Sequence, residues 1–89
     1  MLLYRQFTNR EWLKTEGGKE MSSATVIGQR IKTLREGKGI AREAFCNAVG
    51  ITLSALSMYE NGQRIPRDEI KVKIARVLET SIEALFFAN

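Results

Sequence analysis

Side chains that commonly perform catalysis or bind metal are scarce in this sequence. It contains no histidine and a single cysteine, Cys46. A zinc cluster and an intrachain disulfide are therefore both excluded. We interpret Cys46 as a small, buried apolar residue. The sequence also lacks a glycine-rich phosphate loop and a pair of acidic residues in a cleft-forming context. It thus predicts a protein that is not an enzyme and that needs no metal or cofactor.

The charged residues indicate a different chemistry, the binding of a polyanion. Fourteen lysines and arginines exceed ten acidic residues, which gives a net charge of +4. The excess lies between residues 21 and 66, where six basic residues accompany three acidic ones, whereas residues 67–89 carry four of each. The six are Arg30, Lys32, Arg35, Lys38, Arg42 and Arg64. Basic charge concentrated in one part of the chain favours a partner such as nucleic acid.

Length and composition indicate one small globular domain. The chain has 89 residues, of which 44% are hydrophobic, a share typical of a folded protein. No apolar run approaches the ~20 residues of a membrane span, and the N-terminus lacks the plan of a signal peptide. We therefore expect a cytoplasmic protein without a membrane association. A domain this small has a thin stability margin, so we also expect a homodimer.

Apolar periodicity predicts five short helices over residues 23–89 and no strand. The apolar faces are, in chain order, Ile27, Ile31 and Leu34; Phe45, Ala48 and Val49; Leu56 and Tyr59; Ile70, Ile74, Val77 and Leu78; and Ile82, Leu85 and Phe86. The predicted boundaries are glycines 37 and 39, Gly50, an N-cap at Thr52, Asn61–Gly62, Pro66 and an N-cap at Ser81.

Helices two and three form a predicted helix-turn-helix. Gly50 lies in the short turn between them, where it allows a positive backbone angle. Phe45, Val49 and Leu56 would then pack the two helices together at a steep angle. This arrangement leaves the outer face of helix three free to enter a DNA major groove.

Residues 25–87 resemble the Cro/phage-repressor (XRE-type) helix-turn-helix family. The matching positions are Ile27–Gly28, Arg30–Ile31, Leu34–Arg35, Gly39–Ile40, Gly50–Thr52, Leu56–Ser57, Tyr59–Gly62, Arg64, Pro66, Ile74–Ala75, Leu78 and Leu85–Phe86. The resemblance implies an all-α, five-helix, lambda-repressor-like DNA-binding domain. It also implies a sequence-specific regulator of transcription, expected to be a repressor, which binds double-stranded DNA as a homodimer.

The same resemblance implies roles for particular residues. Arg35 and Glu60 would form a structural ion pair, and Arg42 would contact a phosphate. The residues expected to read base edges or nearby backbone are Thr52, Leu53, Ser54, Ser57 and Met58. The residues expected to hold phosphates after helix three, together with backbone amides, are Asn61, Gln63 and Arg64.

The sequence departs from the family pattern at two places. Ala41 and Arg42 stand where the family often has a capping Ser or Thr followed by Gln, which leaves a phosphate contact possible but makes it more ionic. Leu53 and Met58 are apolar where the family often has Gln, Arg or Lys. Apolar side chains can contact thymine methyl groups but cannot make bidentate hydrogen bonds to bases. Alternatively, Leu53 and Met58 contact another protein or a neighbouring subunit.

Helix four and the C-terminal end carry the remaining expectations. We interpret Lys71, Lys73 and Arg76 as a solvated face of helix four. Phe86 and Phe87 are adjacent and cannot both face one core in so short a helix. We therefore predict that they contribute a dimer seam, with the N-terminal arm as a further contributor.

Residues 1–22 form a predicted N-terminal extension. Four apolar residues suggest a short helix or an extended arm, joined to the domain at Gly17–Gly18; they are Leu3, Phe7, Trp12 and Leu13. Residues 16–21 can be encoded by a purine-rich ribosome-binding sequence followed by ATG. One hypothesis is that Met21 is the natural start; the alternative is chance in a linker rich in Gly, Glu and Lys.

A second function remains open on the same fold. An antitoxin or anti-repressor would use the DNA-facing surface or the N-terminal arm to bind a protein, such as a toxin or another regulator. A toxin gene adjacent to this one would favour that alternative.

Overall fold

The computed structural model describes residues 22–87. The predicted N-terminal arm, the Gly17–Gly18 joint and the hypothetical start at Met21 lie outside this range. The described residues form five helices and no strand, so the predicted all-α architecture is confirmed. The helices are α1 (Ala24–Gly37), α2 (Arg42–Val49), α3 (Leu53–Glu60), α4 (Asp68–Val77) and α5 (Glu83–Phe87), of which α5 is a single π-helical turn. Within residues 22–87, no helix is both long and apolar enough to cross a membrane.

Hydroxyl side chains mark the beginnings of three helices. Ser23, Thr52 and Ser81 each accept a hydrogen bond from the backbone N–H three residues later, at 3.2, 3.0 and 3.0 Å. The predicted caps at Thr52 and Ser81 are confirmed. Ala41 precedes α2 and provides no side-chain cap, which leaves the first turn of α2 without this stabilisation.

The five helices bury one continuous apolar core. Its fully or nearly buried members are Ile27, Ile31, Phe45, Cys46, Val49, Leu56, Tyr59, Ile74, Ala75, Leu78, Leu85 and Phe86. The prediction for α2 was wrong at Ala48, which is exposed, whereas the predicted burial of Cys46 is confirmed. The buried side of α2 faces α3 and α4, and Cys46 lies on that side.

Lys71 corrects another expectation. It was predicted on a solvated face, but its side chain is buried, whereas Lys73 and Arg76 are exposed as expected. Its Nζ lies 5.5 and 5.7 Å from the ring centroids of Phe86 and Phe87. A lysine can cover aromatic rings with its alkyl stem while its ammonium group interacts with their faces. The α5 helix places both rings beneath Lys71, which explains the burial.

Helices α1 and α3 approach each other closely at Gly28. A Cβ atom added there would lie 2.3 Å from the carbonyl oxygen of Tyr59, in α3. Real Cβ atoms do not come so near to a backbone oxygen, so any other residue would force the two helices apart. Gly28 therefore fixes the distance between α1 and the helix predicted to read DNA.

The two ends of the described segment meet. The backbone N–H of Ser22 donates to the carbonyl oxygen of Phe86 at 2.8 Å. Arg30 reinforces this contact, because its Nη1 donates to Ser22 Oγ and to the carbonyl oxygen of Leu85, both at 3.1 Å. Desolvation by this partial burial lowers the pKa of Arg30. Arg30 thus holds α1 and α5 together rather than contributing a free surface charge.

Candidate nucleic-acid interface

The turn between α2 and α3 is tightly held. Gly50 adopts a left-handed conformation, with φ of 86°, and its N–H and that of Ile51 both donate to the carbonyl oxygen of Cys46, at 2.7 and 3.0 Å. The Cys46 thiol donates in turn to the carbonyl oxygen of Thr52 at 3.5 Å. Burial raises the pKa of this thiol. Gly50 therefore makes the predicted turn, and Cys46 supports it from inside.

Helix α3 has two chemically distinct sides. Leu56 and Tyr59 are buried on the inner side. On the outer side Ser54 is exposed and Leu53 is 44% exposed, while Ser57 and Met58 are half-buried. We call the set Leu53, Ser54, Ser57 and Met58 the reading face. It carries no formal charge, so its chemistry is limited to two hydroxyl groups and two apolar side chains.

Beneath the reading face lies the ion pair between Arg35 and Glu60. Arg35 Nε donates to Glu60 Oε2 at 2.7 Å, and its Nη2 lies 3.4 Å from Oε1. Only 7% of the Arg35 side chain and 3% of the Glu60 side chain are exposed. The hydrogen bond to Glu60 raises the pKa of Arg35, although desolvation acts in the opposite direction. The structure thus brings together the two residues that the family resemblance pairs.

Arg42 extends this ion pair to the surface. Its Nη1 donates to Glu60 Oε1 at 3.2 Å and its Nη2 donates to Ser57 Oγ at 2.5 Å. The Arg42 side chain nevertheless remains 41% exposed. The family resemblance implies a phosphate contact for Arg42 and does not predict this contact. Ser57 and Glu60 are three residues apart and so share one side of α3, which is the sequence signal that one cation could bridge them.

The segment after α3 carries three exposed polar side chains and three backbone donors that are already paired. Asn61, Gln63 and Arg64 are all exposed. The backbone N–H groups of residues 61–63, however, donate to the carbonyl oxygens of residues 57, 59 and 58, at distances of 2.8–3.2 Å. These three backbone donors are therefore already used within the fold, and the phosphate contacts predicted for the side chains of Asn61, Gln63 and Arg64 stay predictions.

The predicted DNA-contacting residues lie in α2, in and directly before α3, and in the segment after α3, and they differ in exposure. Leu53, Ser54, Asn61, Gln63 and Arg64 are exposed and available to a ligand. The Thr52 hydroxyl caps α3 and accepts from the Ala55 N–H. The remaining positions, Ser57, Met58 and Arg42, are half-buried. Arg42 contacts Ser57 of the neutral reading face, and Arg64 follows α3 in the chain with its side chain exposed.

Comparisons with known proteins agree with this geometry. The helix-turn-helix family model matches residues 31–85, more than half of the chain. An uncharacterised HTH-type transcriptional regulator, YazB of Bacillus subtilis (strain 168), is 39% identical over 62 residues, which cover 70% of this chain and 90% of YazB.

Two solved structures show the same architecture. The restriction-modification controller protein C.AhdI of Aeromonas hydrophila superposes with a TM-score of 0.66 at 30% identity, covering 71% of this chain and 96% of C.AhdI. The P22 c2 repressor in complex with a synthetic operator gives a TM-score of 0.66 at 27% identity, covering 67% of this chain and 91% of the repressor. The predicted five-helix, repressor-like fold is confirmed.

Proposed function

The chain belongs to the XRE-type (Cro/phage-repressor) helix-turn-helix family, and from that premise we propose that it is a sequence-specific, double-stranded DNA-binding regulator that represses transcription. It acts by occupying an operator and not by catalysis. Both named structural neighbours are regulators, and the P22 c2 repressor is seen with operator DNA. Since its proposed target is double-stranded DNA, we expect the protein to act in the cytoplasm.

One observation carries this proposal most directly, namely the exposure of the reading face. Leu53 is 44% exposed and Ser54 is also exposed, while the opposite side of α3 is buried in the core. A rigid helix with a free outer side is the element that a major groove, about 12 Å wide, accommodates. Leu53 and Ser54 are not part of the buried core, so their exposed side chains remain available to a ligand.

Phosphate contacts would fall on both sides of the reading face. Arg64 is exposed and Arg42 retains unsatisfied N–H groups on a partly exposed side chain. Asn61 and Gln63 can add neutral hydrogen bonds. Such contacts position a protein on DNA without reading its sequence, and they make affinity depend on salt.

Base reading by this face is modest in strength. Only Ser54 and Ser57 can hydrogen-bond a base edge, whereas Leu53 and Met58 favour thymine methyl groups. The remaining specificity would come from DNA shape and from half-site spacing. We therefore expect a palindromic, A/T-containing operator with a specificity ratio near the low end of the ~10³–10⁷ range.

A homodimer would place two copies of α3 about 34 Å apart, one turn of DNA. The set of residues predicted for the dimer seam becomes smaller, because Phe86 is fully buried and Phe87 is half-buried beneath Lys71. Phe86 is therefore unavailable for dimerisation. Analytical ultracentrifugation of the protein with and without operator DNA checks the assembly; a monomer under both conditions at high concentration would exclude it.

The proposed function is tested by selection from a pool of random duplexes, followed by titration of the enriched sequence. Leu53→Glu places an acid on the reading face and should abolish binding, since it would approach the DNA's negative charge. Val72→Glu is the matched control, because Val72 is a similarly exposed apolar residue on α4. If the wild-type protein enriches no sequence, or if the two variants bind alike, the proposal fails.

A further inference from the structure

The Ser57 hydroxyl on the reading face is already engaged before any ligand arrives. Its oxygen accepts a hydrogen bond from Arg42 Nη2 at 2.5 Å, which is short for an N–H donor. A serine hydroxyl has one donor hydrogen and two acceptor lone pairs. Arg42 therefore occupies one lone pair and leaves the hydrogen free.

Arg42 is held in this position by a buried anchor. Glu60 accepts from Arg42 at 3.2 Å and from Arg35 at 2.7 Å, and its side chain is almost completely buried. A guanidinium group carries five N–H donors in a rigid fork. With two of them directed to Glu60 and Ser57, Arg42 can still offer others to a phosphate.

The charge beside Ser57 determines what its hydroxyl can recognise. A cation that donates to the oxygen strengthens the hydroxyl as a donor and repels a second approaching N–H group. In the major groove, guanine, adenine and thymine each present an acceptor, whereas cytosine presents only its N4 amino donor. An oxygen paired with Arg42 should therefore favour the first three bases over cytosine.

We propose that Arg42 is a positioning residue that fixes Ser57 as a hydrogen-bond donor, so that the base facing Ser57 is read as "not cytosine". This inference rests on the proposed DNA-binding function. The position of Arg42 alone suggests a phosphate contact, and the inference gives this residue a second role in discriminating between bases. It also assigns the discrimination to a pair of residues, 42 and 57, in different helices.

The test compares three variants on single-base substitutions of the duplex enriched by the wild-type protein, with fluorescence anisotropy as the readout. Ser57→Ala removes the hydroxyl and identifies the base pair that it faces. Arg42→Met removes the donor and retains the length of the side chain. Arg64→Met is the matched control, since Arg64 is exposed and makes no ion pair within residues 22–87. Thermal melts establish that each variant is folded. Ser57→Ala is expected to fold, because alanine favours helix.

We expect the wild-type protein to bind roughly three- to tenfold more weakly when cytosine stands at that base pair, the effect of about one hydrogen bond. Ser57→Ala and Arg42→Met should each reduce this discrimination to less than about twofold, and only at that base pair. Arg64→Met should weaken binding to all the duplexes without altering the preference.

Two results would overturn this inference without affecting the proposed function. In the first, Arg42→Met weakens binding to all duplexes equally, as Arg64→Met does. In the second, Ser57→Ala leaves every base preference intact. In either case an enriched operator would still support the proposed function. If the wild-type protein enriches no sequence, the proposed function and this inference both fail.

Discussion

Neutralising Glu60 should be one of the most damaging single changes in the domain. The Glu60 carboxylate receives hydrogen bonds from Arg35 and Arg42, and Arg35 is itself only 7% exposed. Glu60→Gln keeps the size of the side chain but leaves the buried Arg35 cation with only the exposed Glu36, 3.8 Å away, as a salt-bridge partner. Removing one partner of a buried pair costs about 3–5 kcal/mol. A domain of this size has only about 3–10 kcal/mol of stability, so the variant should approach complete loss of folding.

Urea or thermal unfolding followed by circular dichroism measures this loss. At 4–8 °C per kcal/mol for a small domain, the midpoint should fall by at least about 12 °C. Glu36→Gln is the matched control, because Glu36 lies 3.8 Å from the same arginine but is 57% exposed, and an exposed pair contributes at most about 1 kcal/mol.

The paired replacement Arg35→Met with Glu60→Leu should recover most of the loss, since it removes both charges and fills the site with apolar groups. If Glu60→Gln and Glu36→Gln cost the same, or if the paired replacement is worse than Glu60→Gln, then the burial of the charges does not govern stability.

Further outcomes are expected at the interface and in the core. Arg64→Ala should weaken specific and non-specific DNA binding alike and lower the salt slope of log K by about one unit; an unchanged slope would argue against a phosphate contact. Leu53→Ala should lose a preference for thymine at one position while non-specific affinity stays nearly constant, as measured over single-base operator variants. The raised pKa of Cys46 means that its protonated form is favoured in the folded state, so this contribution to stability is complete below the unfolded pKa and lost as the pH rises through the folded pKa. Unfolding free energies measured above pH 9.0 should therefore fall more steeply for the native chain than for Cys46→Ala, and parallel curves would contradict this.

Local signals in the sequence were sufficient for the helices and their ends. Thr52 and Ser81 are capping residues at the positions where their chemistry is useful, and Gly50 stands where the chain needs a positive φ. Each of these signals acts within about four residues. For that reason the helix-turn-helix could be predicted without knowing the remainder of the fold.

Long-range contacts could not be predicted in the same way. Lys71 is buried because Phe86 and Phe87 lie beneath it, and those rings are supplied by a helix that begins twelve residues further along the chain. Arg42 and Ser57 meet only because α2 and α3 pack at a particular angle. An arginine at position 42 and a lysine at position 71 are equally compatible with a solvated surface charge. Only the packed structure distinguishes such a charge from a side chain held by contacts with other helices.

The hydrogen bond between Ser22 and Phe86 has a consequence for how this domain can be combined with others. Because Ser22 and Phe86 are hydrogen-bonded to each other, the chain enters and leaves the folded part of the domain at the same place. A host protein could receive it in a surface loop without separating the loop's two stems, as is observed for domains with adjacent termini. Arg30 stabilises this junction through its hydrogen bond to the Leu85 carbonyl oxygen. A ligand-sensing domain could therefore be fused to the helix-turn-helix domain at this junction.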